Sequence, residues 1–370
     1  MYPDFYLIFS LEVNTMKMLD YVKASSQKVK DNINEKENLV TPLVRLFCDQ
    51  DYVSVIIIAS GSSMNAAQMV QRYMANRLNR PVSVITPELF ELLQAADFSN
   101  TFIFFVSQSG ASTNILHAMN YMKTLDRRTI LLTGNIHSQA AGNADYVIDY
   151  GVGIETVGYV TIGLSTLIIY LALFANEAAL LQNHTHNSDE EFFQLADVMS
   201  CTINEGINFV DKHFLELAEM GPTFICGNNM NLGVAREAAL KFQETLKIPT
   251  MHYEVEEFMH GPDIQLSPKY TVFLIDNLQP SSRIARIYKE LAVVTSRSYL
   301  VTFSDKQKEQ NIVHITKPVI QDLCSLAAIP FFQVIVATMM PALNKEKSHP
   351  FADKFMKAIT TKNYSQKNKG

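Results

Sequence analysis

Short apolar runs recur along this chain, each followed by a segment of helical spacing, and that alternation leaves a parallel sheet with crossover helices as the expected α/β fold. Val53–Ala59 is one such run, followed by a turn, Ser60-Gly61-Ser62-Ser63-Met64-Asn65, and by a helix through Ala66 to Arg77. Further strands are expected at Val82–Thr86, Thr101–Val106, Thr129–Thr133 and Tyr146–Tyr150. The first 45 residues or so read as mainly helical, with Pro42 near the start of the helix that precedes the first strand.

A second set opens near Thr223 with the run TFIC, a turn and a helix over Leu232–Lys247, then strands at Thr271–Ile275, Ser298–Thr302 and Val313–Ile315. The first turn of each set carries the same pattern: Gly61-Ser62-Ser63-Met64-Asn65 returns 166 residues later as Gly227-Asn228-Asn229-Met230-Asn231. Each copy follows an expected strand and precedes an expected helix, so the chain reads as a duplication. The boundary is placed in the polar stretch Gln182–Glu191. This gives an extension over 1–15, a first domain over 16–185, a second over 192–345 and a tail over 346–370.

Composition narrows the function. Of 370 residues 48% are hydrophobic and 18% charged, which excludes a disordered or coiled-coil chain. The net charge of -6 disfavours a nucleic-acid or anionic-membrane partner. Cys48, Cys201, Cys226 and Cys324 lie far apart without a C-x-x-C pair, so reduced thiols in a cytoplasmic protein are expected, with neither zinc nor disulfides. The N-terminal MYPDFYLIFSLEV carries Asp4 where a secretory signal would want positive charge, so export is not expected. Val160–Asn176 imitates a membrane span but is slightly short and has no flanking cluster of Lys or Arg; it reads as a helix buried between layers.

Two groups of residues could carry chemistry. Ser107-Gln108-Ser109-Gly110-Ala111-Ser112-Thr113 falls where the strand TFIFFV should end and a helix begin. Backbone N–H groups at a helix start, surrounded by hydroxyls, suit a phosphate, and Ser62 and Ser63 at the neighbouring strand end add two donors. Equally, Ser and Thr occupy N-caps and turns as a matter of routine. In the second half, Glu237, Lys241 and Glu244 are spaced i, i+4, i+7 on one helix, which describes either a reactive cluster or a solvated ion-paired face. Downstream, Glu257-Phe-Met-His260-Gly261-Pro262 places His260 at a loop edge, since Gly-Pro ends any helix. His252, eight residues back, is not at ligand spacing from His260, so no metal is expected.

Together these residues resemble the sugar isomerase (SIS) family, specifically the double-SIS proteins related to the isomerase half of glucosamine-6-phosphate synthase and to fructosamine-6-phosphate deglycases. The resemblance covers nearly the whole chain from about Met16. It implies two tandem SIS domains, each a flavodoxin-like three-layer αβα unit. It also implies a sugar phosphate held by Ser107, Gln108, Ser109 and Ser112, with Ser62 and Ser63 from the neighbouring turn. The family's E-x-A-L-K-x-x-E helix and E-x-x-H-G-P segment are matched by Glu237, Lys241, Glu244, Glu257, His260, Gly261 and Pro262. Where the synthases read E-I-G-V-A-S-T-K, this chain reads Glu155-Thr-Val-Gly-Tyr-Val-Thr161-Ile162, so only the Glu and Thr persist. A C-terminal lysine that reaches the substrate in the family is matched best by Lys357, with Lys354 and Lys362 as rivals.

By the same resemblance, Glu244 is the base that moves the proton between C1 and C2, His260 assists ring opening, often across a subunit boundary, and Lys241 and Glu237 tune or orient Glu244. Glu257 joins the substrate-binding set. The synthases carry a glutaminase domain with a cysteine nucleophile at its start; nothing in this sequence supplies one, so glutamine is not the expected nitrogen donor. The expected protein is a phosphosugar deglycase or isomerase acting on a 6-phosphorylated fructosamine or amino sugar, without cofactor, as a homodimer or higher homo-oligomer. The alternatives are an ammonia-dependent or isomerase-only relative and a non-catalytic sugar-phosphate sensor; the acid-base residues favour an enzyme.

Overall fold

A computed structural model of the chain describes residues 16–93, 98–182, 187–228, 230–276, 282–304, 309–359 and 362. The extension over 1–15, Asn229 of the repeated turn, part of the Gln182–Glu191 boundary and most of the tail beyond Ile359 lie outside the described residues. Two five-stranded sheets, parallel throughout, organise the rest. The first comprises β1 (Ser54–Ile58), β2 (Val82–Ile85), β3 (Thr101–Val106), β4 (Ile130–Thr133) and β5 (Tyr146–Asp149), in the order β2-β1-β3-β4-β5. The second comprises β6 (Thr223–Gly227), β7 (Thr250–Tyr253), β8 (Thr271–Ile275), β9 (Ser298–Thr302) and β10 (Ile312–His314), in the order β7-β6-β8-β9-β10. Each sheet therefore runs 2-1-3-4-5 in its own numbering, which is the duplication expressed as topology. β3, β4, β6, β8 and β9 are buried at every position, as strands covered on both faces must be.

The helices before β1 are α1 (Met18–Asn34) and α2 (Lys36–Phe47). Pro42 stands inside α2 rather than near its start. Pro42 and Asn38, whose carbonyl the missing N–H would have served, are both exposed, so water takes over that carbonyl and the helix tolerates the proline. β7 had no counterpart among the expected strands: it is a four-residue edge strand, TMHY, whose His252 faces outward, and four residues carry too little pattern to be read.

Two very apolar helices form the inner layers. α6 (Ile162–Leu181), which contains most of the span-like stretch, packs on α1, α2 and α3 (Gly61–Leu78). α12 (Cys324–Ala342), equally apolar, packs on α7 (Asp189–Lys212), α9 (Asn231–Lys241) and α1. Both are long and apolar enough to cross a membrane, yet 83% and 94% of their apolar windows are buried in protein. Side chains from both halves merge into one continuous core. Within it α3 and α9 lie against each other, and that contact assembles the site; the segment Gly61–Asn65, expected as a turn ahead of the helix, is already the first turn of α3.

Candidate functional site

In a sheet of order 2-1-3-4-5 the connections leave β1 and β3 toward opposite sides, opening a crevice at their carboxyl ends. β1 runs through Ser60 into α3, and β3 runs through Ser107–Ser112 into α5 (Thr113–Thr124). Ile58 pairs with Phe105, so the two turns are neighbours, and Asn114 Nδ2 donates to Ser60 Oγ at 2.9 Å across the crevice. Gly110 sets the shape of the second turn. Its φ is +59°, and a Cβ there would lie 1.9 Å from Ser138 Oγ, so both conformation and space demand glycine. Its N–H donates to the Ser107 carbonyl at 3.1 Å and its own carbonyl accepts from Ala140 N at 2.9 Å.

Ser112 is the N-cap of α5 by position, but its hydroxyl makes no bond to that helix; it lies 3.2 Å from Ser107 Oγ. Routine capping thus explains where Ser112 is and not what its side chain does. Ser109 Oγ accepts from Ala111 N at 3.3 Å, and Ser62 and Ser63 stand in the first turn of α3. Gln108 donates from Nε2 to Glu155 Oε2 at 2.7 Å.

The ion-paired residues of α9 are not a solvated face. Glu237 is 0% and Lys241 1% exposed, while Glu244 keeps 35% of its side chain exposed. Lys241 Nζ lies 3.3 Å from Glu237 Oε1, donates to Glu244 Oε2 at 2.7 Å, and donates to Ser62 Oγ of the first half at 3.1 Å. Asn65, last residue of the first repeated turn, donates to Glu237 Oε2 at 2.8 Å. Burial alone would push the Lys241 ammonium down, but the charges of Glu237 and then Glu244 outweigh it and hold its pKa above the ordinary lysine value. The trio carries one net negative charge, and Glu244 is its open end.

The backbone around Glu244 departs from the uniform helix expected over Leu232–Lys247. α9 ends at Lys241, and Phe242–Leu246 form a π turn that closes on Lys247 at φ +55°. The wider turn changes the stacking at this point; π turns inside helices are frequent at functional sites.

His260 sits beyond α10 (Val255–Phe258), before Gly261 at φ +136°. Its ring is exposed and lies within the electrostatic reach of Glu256. Glu257 is also exposed, in the first turn of α10. Among the described residues no hydrogen bond or ion pair joins His260 or Glu257 to Glu237, Lys241 or Glu244. Lys354 and Lys357 belong to α13 (Pro350–Ala358), a helix with no buried residue. Lys362 instead pairs through its backbone with Ser112 in an isolated antiparallel bridge, which places that residue beside the serine turn.

Sequence reasoning did not select Asn65, Asn114 or Gln333. Asn65 had a signal, since it closes the turn that recurs at Asn231. Gln333, the lone amide in α12, donates from Nε2 to the Thr161 carbonyl at 3.1 Å.

Residues 50–176 match the SIS domain family model. The second sheet repeats the strand order of the first, so the chain is an α/β protein of two tandem SIS-like units, of which the first carries the family match. Among curated proteins it is similar to the glutamine–fructose-6-phosphate aminotransferase (isomerizing) of Sulfurisphaera tokodaii, 23% identical over 326 residues, covering 84% of this chain and 53% of that protein. The chain thus spans about half the length of the curated relatives it matches. Among solved structures, a candidate phosphosugar isomerase from Clostridium difficile 630 superposes with a TM-score of 0.83 at 20% identity, covering 95% of this chain and all of that one. Glucosamine-6-phosphate deaminase from Thermotoga maritima superposes at 0.72 with 21% identity, covering 90% and 96%.

Proposed function

We propose that this protein isomerises or deglycates a 6-phosphorylated ketosamine or amino sugar, holding the phosphate in the serine turn and moving a proton between C1 and C2 with Glu244. The observation that carries this reading is the Lys241 bridge: one ammonium touches Ser62 at the phosphate crevice and Glu244 on the other half. The crevice and the carboxylate are therefore close enough to share one hexose phosphate.

Each part has a chemical task. Hydroxyls and the α5 N-terminus receive the phosphate dianion without a fixed cation. Lys241 holds Glu244 by a direct hydrogen bond, and its raised pKa keeps the ammonium charged through neutral pH. Glu244 then removes the C1 proton of an open-chain ketosamine and returns it to C2, which leaves a C1 imine that water hydrolyses to the amine and an aldose 6-phosphate. The aminotransferase and deaminase among its relatives support a nitrogen-bearing substrate. His260, exposed at the loop edge and without a bond to Glu244 among the described residues, is assigned to ring opening from a second copy of the chain.

Incubation with fructoselysine 6-phosphate and with glucosamine 6-phosphate, followed by assay of glucose 6-phosphate, fructose 6-phosphate and ammonia, tests the reading. Turnover should fall by about 10²–10⁴-fold in Glu244→Gln with substrate affinity nearly unchanged. Full activity in that variant would remove Glu244 from the mechanism, and binding without turnover in the unaltered protein would make it a sensor.

A further inference from the structure

Gln108 lies in the serine turn, yet both ends of its amide are engaged elsewhere. Its nitrogen donates to Glu155 Oε2, and its oxygen is packed so closely over the start of α6 that a Cβ on Gly163 would lie 2.2 Å from it. Glu155 in turn fills the N-terminus of α6: Oε1 accepts from Thr161 N at 2.8 Å and Ile162 N at 2.9 Å, and Oε2 from Gly163 N at 3.3 Å. An anion-binding helix start is thus occupied by a carboxylate of the chain itself. The segment 155–161 is thereby closed into a loop, pinned at Thr156 by the Tyr21 hydroxyl at 3.0 Å and at Thr161 by Gln333. α12, whose Gln333 holds Thr161, also packs on the π turn that carries Glu244, and Tyr159 of the loop, half-buried, has its phenol raised by burial and next by the charge of Glu244.

We propose that Gln108 is a positioning residue and not a phosphate ligand: through Glu155 its amide fixes the loop 155–161, which α12 links to the π turn of Glu244, to the turn that seats the phosphate. The inference rests on the proposed reading of that turn and of Glu244. A phosphate ligand contributes binding; a strut between the two parts contributes to turnover of substrate already bound.

The test separates those contributions. Gln108→Met keeps the length and removes the amide, and the pair Gln108→Glu with Glu155→Gln exchanges carboxylate and amide so that their hydrogen bond is rebuilt with the roles reversed. Calorimetry with inorganic phosphate gives the affinity of the turn, and kcat is read at saturation with whichever phosphosugar the unaltered protein turns over, because the displaced charge weakens phosphate binding. Gln108→Met should lower kcat by about tenfold or more while the phosphate Kd moves by less than about threefold, and the exchanged pair should recover kcat by at least about threefold over either single variant. A Kd raised about tenfold with kcat intact, or an exchanged pair that folds and is no better than its parents, overturns the proposal. Should the single variants fail to fold, the exchanged pair decides alone: folding with restored kcat supports the strut, and folding without it, or no folding, rejects it. If the unaltered protein neither binds phosphate nor turns over any phosphosugar, it is the underlying reading that has failed.

Discussion

The two halves present the same crevice with opposite polarity. Ser107 is the first residue after β3 and Asp276 the first after β8; each is buried, and each donates its N–H to the next strand, to the Leu132 carbonyl at 3.0 Å and to the Val301 carbonyl at 2.8 Å. At this matched position the first half offers a hydroxyl and the second a carboxyl group, hydrogen-bonded by Thr302 Oγ1 at 3.4 Å. One backbone topology therefore gives two crevices, and among the described residues the hydroxyl-lined first is the one that suits an anion. Under the proposed function the second half contributes Glu237, Lys241 and Glu244 from the helix flank and the first half the phosphate cradle, a division of labour between the two copies.

Substitutions can break this division. The largest effect is expected in Lys241→Met, which strands the buried Glu237 beside Asn65: about 3–5 kcal/mol of stability should be lost by urea denaturation. A loss below about 1 kcal/mol would show that Glu237 sheds its charge or reaches water. Ser107→Asp carries the second half's residue into the first. Like charges near 4 Å repel by about 4 kcal/mol at an effective dielectric of 20, so phosphosugar affinity should fall by about 10²–10³-fold in calorimetry. Retained affinity would place the phosphate elsewhere.

Ser109→Ala should raise KM by about fivefold with little change in kcat, as befits a contact made equally in ground and transition states; a drop confined to kcat would reassign Ser109. Asp276→Asn should leave KM within about twofold, and a larger change would draw the second crevice into substrate binding. The smallest effect concerns pH. Because Lys241 is raised above its ordinary value of 10.5, the stability contributed by its ammonium is complete below that pH and is lost only as pH rises through the higher folded value. The activity profile should carry no basic limb from Lys241 between pH 7 and about 10. A limb in that range that vanishes in Lys241→Arg would contradict the ion-pair account.

Most of the strands were legible because fully covered strands are apolar at every position, and the serine turn was legible because it follows one. β7 was not, being a short edge strand with a half-polar face. The acidic helix was ambiguous for a different reason: i, i+4, i+7 spacing describes which side chains share a face and carries no information on whether that face meets water or another helix. Nothing local revealed that Gln108 is tied to Glu155 across 47 residues.

The sequence by itself determined the parallel α/β elements, their duplication and the residue types gathered at the first crevice, since periodicity, strand composition and turn chemistry are local properties. Only the tertiary structure decided that α3 and α9 lie together, burying Glu237 and Lys241 and joining Ser62 to Glu244 through one ammonium. Burial and pairing over 179 residues depend on which faces of the two halves meet, and that is settled by packing of the common core.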